Sequence, residues 1–241
     1  MPNIDIERLT NEPIYAFDFQ FMIGDIGDFL DFSEINMEWQ YRRELLSIKR
    51  QAEAEEFPNG YREHLETNAE HRFKVSLPLR VRYGAVIALA TSVEWSVGFL
   101  TKKLNNPLTP KPKKRNETVH ALIELNTRTG SNKSDVVSDY ETLIHIRNCI
   151  AHNAGIVQHY RHHEDLATSI ARLRGFSLDN WHFFGKHVCI ERGALNPHID
   201  AMGQLIVILH KACHEKGLLN PNHALQRDAC CAGVPELVEG A

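Results

Sequence analysis

The sequence predicts an all-α fold, an antiparallel helical bundle, with a small β-hairpin inserted near the C-terminal helix. Three observations carry this. Apolar residues recur three and four positions apart along most of the chain, as in Leu79, Tyr83, Val86, Ala90, Val93 and Val97, the spacing of one face of a 3.6-residue helix. Only 176–181 and 187–192 read as strands, and a short turn-rich stretch separates them. The remaining connections are concentrations of Pro, Gly, Asn and Ser, which punctuate helices.

Taken in order, the N-terminal segment is the least regular. Tyr15, Phe17, Phe19 and Phe21 alternate with Ala16, Asp18 and Gln20 as an exposed strand does, and Gly24 and Gly27 follow. Helix formers dominate 36–57 until Pro58-Asn59-Gly60 closes the run with turn chemistry. A second helix spans 61–76. A third begins at Pro78, where a missing N–H costs nothing, and runs to Leu104. The stretch 105–116 holds Pro107, Pro110 and Pro112 and continues neither neighbour. Helices are then expected at 117–125, at 134–153 with Ser134 or Asp135 as N-cap and Gly155 as stop, at 164–173, and from Pro197 to Lys216. Periodicity fails beyond Gly217. These boundaries divide the chain into an acidic N-terminal segment plus helix (1–58), a helical domain (59–216) and a mobile tail (217–241).

With 241 residues, 43% hydrophobic and 24% charged, the composition is that of an ordinary globule with a sizeable core, and excludes a mainly disordered or disulfide-stapled chain. The longest apolar stretch, near 84–90, is short for a membrane span, and the polar, acidic N-terminus lacks the basic and then apolar order of a signal peptide. The expectation is a cytoplasmic protein with no membrane partner. Cys149, Cys189 and Cys213 are isolated, Cys230 and Cys231 are neighbours, and no CxxC occurs, so neither a zinc site nor another cofactor is expected. The net charge of −4 hides a division: residues 1–38 carry nine acids against Arg8, leaving +4 for the rest.

The chemistry concentrates in 144–155, IHIRNCIAHNAG. At about 100° per residue, Val136, Tyr140, Leu143, Ile144, Ile150 and Ala151 form one apolar face with Arg147 in its middle. Glu141, His145, Asn148 and His152 form a separate polar stripe. His152 is thereby presented to solvent or a partner. On the helix before it, Glu94 lies at the margin of the apolar face. Two packing faces then carry one charge each, of opposite sign, and an unpaired buried charge is expensive, so a Glu94–Arg147 ion pair is expected.

The segment Arg147-Asn148-Cys149-Ile150-Ala151-His152, with Glu94 on the preceding long helix, resembles the HEPN family of small helical bundles. The mark of that family is an Arg, four to six residues, and a His near a helix end. The resemblance covers about 61–216 in helix order and spacing. It implies a HEPN-like bundle and metal-independent RNA cleavage at a cleft between two copies of the motif, hence a homodimer with a composite site. The implied catalytic set is Arg147, His152, Asn148 and Glu94. A histidine titrating near neutrality can carry the proton of a ribose 2′-OH or of the leaving oxygen. A guanidinium matches phosphate oxygens with a planar fork. Family analogy also suggests a toxin or defence effector, with an antitoxin as a further partner. Other members bind nucleotide or act as scaffolds without cleaving, and that is the alternative.

Lys111, Lys113, Lys114 and Arg115 make the one dense basic cluster, a candidate for tracking an RNA backbone or a merely solvated loop. His159, His162 and His163 beside Glu164 and Asp165 lack a partnering Cys pair or HExxH and read as a solvent-facing helix start.

Overall fold

The computed structural model describes residues 14–55, 57–113, 115–180 and 185–220. It is mostly helical, with one two-stranded antiparallel sheet. The helices are α1 (Ile14–Ala54), α2 (Tyr61–His71), α3 (Leu77–Lys102), α4 (Glu117–Thr129), α5 (Ser134–Asn153), α6 (His163–Ser169) and α7 (Asn196–Glu215).

The N-terminal segment is helix, not strand. Phe19, Ile23, Ile26, Leu30, Met37 and Ile48 are buried, and their spacing is helical over eight turns, which outweighs a four-residue alternation at one end. The glycines that look like breakers are contact points. A Cβ on Gly27 would sit 3.9 Å from Ile199 of α7, and one on Gly203 of α7 would sit 3.8 Å from Ile23, so α1 and α7 pack closely along small residues. Residues 14–38 thus share the core of the rest of the molecule.

The second and third expected helices are continuous. Between α2 and α3, Arg72–Ser76 forms a π-helical turn in which the Leu77 N–H reaches back to the Arg72 carbonyl. Pro78 removes one helical donor just beyond it, and the wider turn carries the chain across without a break. An 18-residue window in Tyr61–Lys102 has mean hydropathy 1.4, so this helix does reach the length and apolarity of a membrane span, contrary to the reading from the longest apolar run. In this structure its face from Leu79 to Leu100 is buried against α1, α4, α5 and α7.

Asn116 caps α4, its Oδ1 accepting from Thr118 N at 2.9 Å and Val119 N at 3.1 Å. The helix runs past Leu125 to Thr129 before Gly130 turns it at φ 67°. The residue before α5 is Lys133, without a side-chain cap bond. Neither Ser134 nor Asp135 fills that role, because both already lie inside the first turn of the helix; Asn126 Oδ1 accepts from Lys133 N at 2.9 Å. The expected helix at 164–173 is α6 followed by a 3-10 turn at Ile170–Arg172. Leu104 and Leu219 form an isolated bridge, so the chain is held to at least Leu219. Residues 221–241, most of the expected mobile tail, lie outside the described residues.

The strands β1 (Phe176–Asn180) and β2 (Lys186–Ile190) pair antiparallel, Ser177 opposite Cys189 and Leu178 opposite Val188. The hairpin docks on the end of α5. Val188 N donates to Gly155 O at 3.0 Å, and the Tyr83 hydroxyl of α3 donates to Val188 O. Glu34 of α1 takes Arg82 of α3 at 2.7 Å and Arg192, just past β2, at 2.9 Å. One carboxylate therefore fixes three elements around the place where α5 ends.

Candidate functional site

The motif sits where α5 crosses α3. Arg147 Nη2 donates to Glu94 Oε2 at 3.4 Å, the two side chains being 27% and 29% exposed. The expected pair is thus made, but at a partly solvated margin and not in the closed core. Arg147 Nη1 donates to Asn148 Oδ1 at 2.9 Å. The Nε of Arg147 is buried and has no hydrogen-bond partner. Tyr140, wholly buried, lies against the same pair and donates to Ala90 O at 3.2 Å; burial pushes its phenol far up, so it stays neutral.

The wheel needs correction on one point. Ala151 is exposed and Val136 only partly buried, whereas Val137, Thr142, Ile146 and Cys149 are buried. α5 touches α3, α4, α6 and α7, so apolar contact surrounds more of its circumference than one stripe. Burial pushes the Cys149 thiol up to about 11, which removes it as a thiolate nucleophile at neutral pH.

Two residues join the motif that the sequence pattern does not single out as a pair. The Asn148 side chain lies close to the Tyr160 phenol and favours its charged form against the effect of burial. That phenol also meets His145 Nδ1 at 3.0 Å. Two bonded groups of polar side chains therefore lie side by side, Glu94–Arg147–Asn148 and Tyr160–His145. Burial raises the Tyr160 phenol and lowers His145, which keeps both neutral near pH 7. His162 stacks edge-on to both rings, at 6.0 Å from His145 and 5.8 Å from Tyr160. Tyr160 lies thirteen residues past Arg147, beyond any helix-face argument; its one signal is an aromatic among the polar residues QHYRHHED.

His152 is exposed in the last turn of α5, as the polar stripe predicts. The chain then turns sharply through two left-handed residues, Ala154 at φ 52° and Gly155 at φ 84°. Gly155 is obligatory there, since a Cβ would run into the Tyr83 ring. Arg147 and His152 lie on one helix, about 7.5 Å apart along its axis.

The basic loop is held on α4. Lys111, Lys113 and Arg115 are exposed, and Lys114 lies outside the described residues. Glu124 of α4 accepts from Thr109 N at 2.9 Å and from Thr109 Oγ1 at 2.6 Å. Arg128 donates to Asn106 O at 2.9 Å and Pro107 O at 2.7 Å. The loop is therefore tied to α4, and Lys111 Nζ folds back to donate to Arg115 O at 3.0 Å. Among the described residues no group of three His, Cys, Asp or Glu gathers in a metal-holding arrangement; His162 pairs with Asp165 at 3.6 Å instead.

No family model, curated protein or solved structure matches this chain. What the site can do chemically rests on its own geometry: a guanidinium oriented by a carboxylate and an amide, partly open to solvent, with an exposed imidazole five residues further along the same helix.

Proposed function

We propose that this is a HEPN-like, metal-independent endoribonuclease that cleaves RNA by 2′-OH transesterification. The observation that carries the reading is the guanidinium of Arg147, held on one side by Glu94 and on the other by Asn148 while a quarter of the side chain stays open, on the same helix as exposed His152. The ribose 2′-oxygen forms a bond to the adjacent phosphorus and the bond from phosphorus to the 5′-oxygen breaks. The products are a 2′,3′-cyclic phosphate and a 5′-OH. His152 moves a proton, Arg147 faces the charge of the phosphorane, Asn148 orients the guanidinium, and Glu94 holds it in place. One motif supplies one histidine, so a second copy would supply the other proton carrier across a composite site. Lys111, Lys113 and Arg115 suit the RNA backbone beyond the cleft. A cytoplasmic toxin or defence effector with an antitoxin partner is the setting this chemistry fits.

A second reading is favoured by one observation: both terminal nitrogens of Arg147 are already bonded within the chain. A non-catalytic RNA-binding, nucleotide-binding or scaffold protein needs nothing more from that residue. Incubating purified protein with bulk RNA in EDTA separates the two. Cleavage with 2′,3′-cyclic phosphate ends, lost by a factor of about 10² to 10⁴ in a folded His152→Ala variant, supports the nuclease. RNA retarded on a gel but uncut, or full cleavage by His152→Ala, defeats it.

A further inference from the structure

α1 presents two apolar faces. One, from Phe19 to Ile48, is buried on the body. The other lies on the opposite side of the helix and is open: Phe21 is 59% exposed, Phe32 70%, Ile35 64%, Trp39 53% and Leu46 55%, with Phe29 beside them at 56%. At about 100° per residue, Phe21, Phe32, Ile35, Trp39 and Leu46 fall within a stripe some 60° wide, centred half a turn from the buried face. At roughly 100 Å² for each exposed side chain, the stripe offers about 600 Å² of apolar surface, at the upper limit for a monomer. A symmetric pair of such stripes would bury about 1,200 Å², within the range of a specific interface.

The charges around the stripe identify its occupant. From Asp18 to Glu38 the helix carries six acids and no basic residue; from Arg42 to Ala54 it carries Arg42, Arg43, Lys49 and Arg50 against Glu44 and Glu53, with Arg42 paired to Glu38 and Lys49 to Glu53, so that Arg43 and Arg50 are the cations left for a partner. The open face is therefore negative at its N-terminal half and positive at its C-terminal half. An anionic lipid surface or an RNA would be repelled along the first half. A parallel copy would set like charges together. An antiparallel copy reverses both, acid against base at each end.

We infer that α1 is a self-association surface on which a second copy of this chain docks antiparallel, through its own α1, about a two-fold axis at the level of Glu34. In that register Asp25 faces the partner's Arg43, Asp18 faces the partner's Arg50, and Phe29 faces the partner's Trp39. Phe32 and Ile35 close on their own counterparts at the axis, and Phe21 covers the region of the partner's Leu46. Such a contact is isologous, so every pairing occurs twice. Asp25, Arg43, Phe29 and Trp39 are all exposed in the single chain. Arg43 stacks on Trp39 with its Cζ 4.7 Å from the ring centroid, which leaves the guanidinium beside the stripe. The inference rests on α1 alone and holds whether or not the protein cuts RNA.

The test is mass in solution for the full chain, by sedimentation velocity and light scattering, with far-UV circular dichroism to follow folding. The wild type should run at twice the 27.5 kDa of one chain through this contact alone, and at four times where the composite cleft between two α5 motifs forms as well. Asp25→Arg and Arg43→Asp each replace two attractive pairings by two repulsive ones, on an exposed face that leaves the fold intact. Each should weaken the dimer roughly tenfold or more. Mixing the two variants in equal amounts should restore it, because both cross pairings of the heterodimer then join opposite charges. A wild type that is monomeric at its highest soluble concentration overturns the inference. So do single variants that dimerise as well as wild type, which would put the contact on another face, or a mixture that stays monomeric.

Discussion

Arg147 and Asn148 are consecutive on α5, yet the guanidinium turns back to donate from Nη1 to Asn148 Oδ1 at 2.9 Å. The same side chain lies close to the Tyr160 phenol, outside the helix. Replacing Tyr160 by Phe keeps the ring and removes the hydroxyl that meets His145 at 3.0 Å and lies close to Asn148. The expected cost is about 1 kcal/mol of stability. In the nuclease reading cleavage should fall more than the folded fraction does. Denaturant melts beside single-turnover cleavage measure both, and unchanged cleavage would detach Tyr160 from the site.

The Glu94–Arg147 contact is between a fully buried pair and a surface one. At 27% and 29% exposure, breaking it should cost less than the roughly 3–5 kcal/mol of a closed core pair and more than the about 0–1 kcal/mol of a surface pair. Glu94→Gln, Arg147→Met and the double variant form a double-mutant cycle. The double variant is expected to regain most of the stability lost by the singles without regaining cleavage. Recovery of both would confine Arg147 to structure.

Acid should destabilise the protein through its buried histidines. His210 of α7 is 3% exposed, lies 5.5 Å from the Phe19 ring and has no partner at Nε2. Burial, with Lys103 nearby, depresses it from 6.5 to about 4. A folded-state value below the unfolded one means that the unfolded chain binds more protons. The contribution is present above pH 6.5 and is lost as pH falls to about 4, an effect on the order of 3 kcal/mol. His145 and His198 shift the same way by burial. Chemical melts across this window should show falling stability, and His210→Leu should flatten the slope. An equal slope in that variant would place the proton uptake elsewhere.

Gly155 ends the helix that presents His152. Ala at this position would meet a left-handed φ of 84° and the Tyr83 ring at once. Gly155→Ala should therefore lower stability by roughly 2 kcal/mol or more, and it should loosen the Gly155–Val188 bond to the hairpin. Thermal melts, with amide exchange at Val188 as the local reading, check both. A melt within error of wild type would show that the turn can relax.

Read alone, the sequence determined the helical class, the limits of α5 at Ser134 and Asn153, the antiparallel strand pair, the exposure of His152 and the meeting of Glu94 with Arg147. Each of these follows from local periodicity or from the cost of a lone charge between packed faces. Tertiary structure decided that the glycines of α1 are packing points and not breaks, because the Gly27 and Gly203 contacts that hold α1 on α7 join residues far apart in sequence. It also decided that Tyr160 meets His145 across a turn, and that the basic loop is tied to α4. A helical wheel records which way a side chain points from its own axis. What it meets there depends on which other elements pack against that axis, and that is a property of the folded chain as a whole.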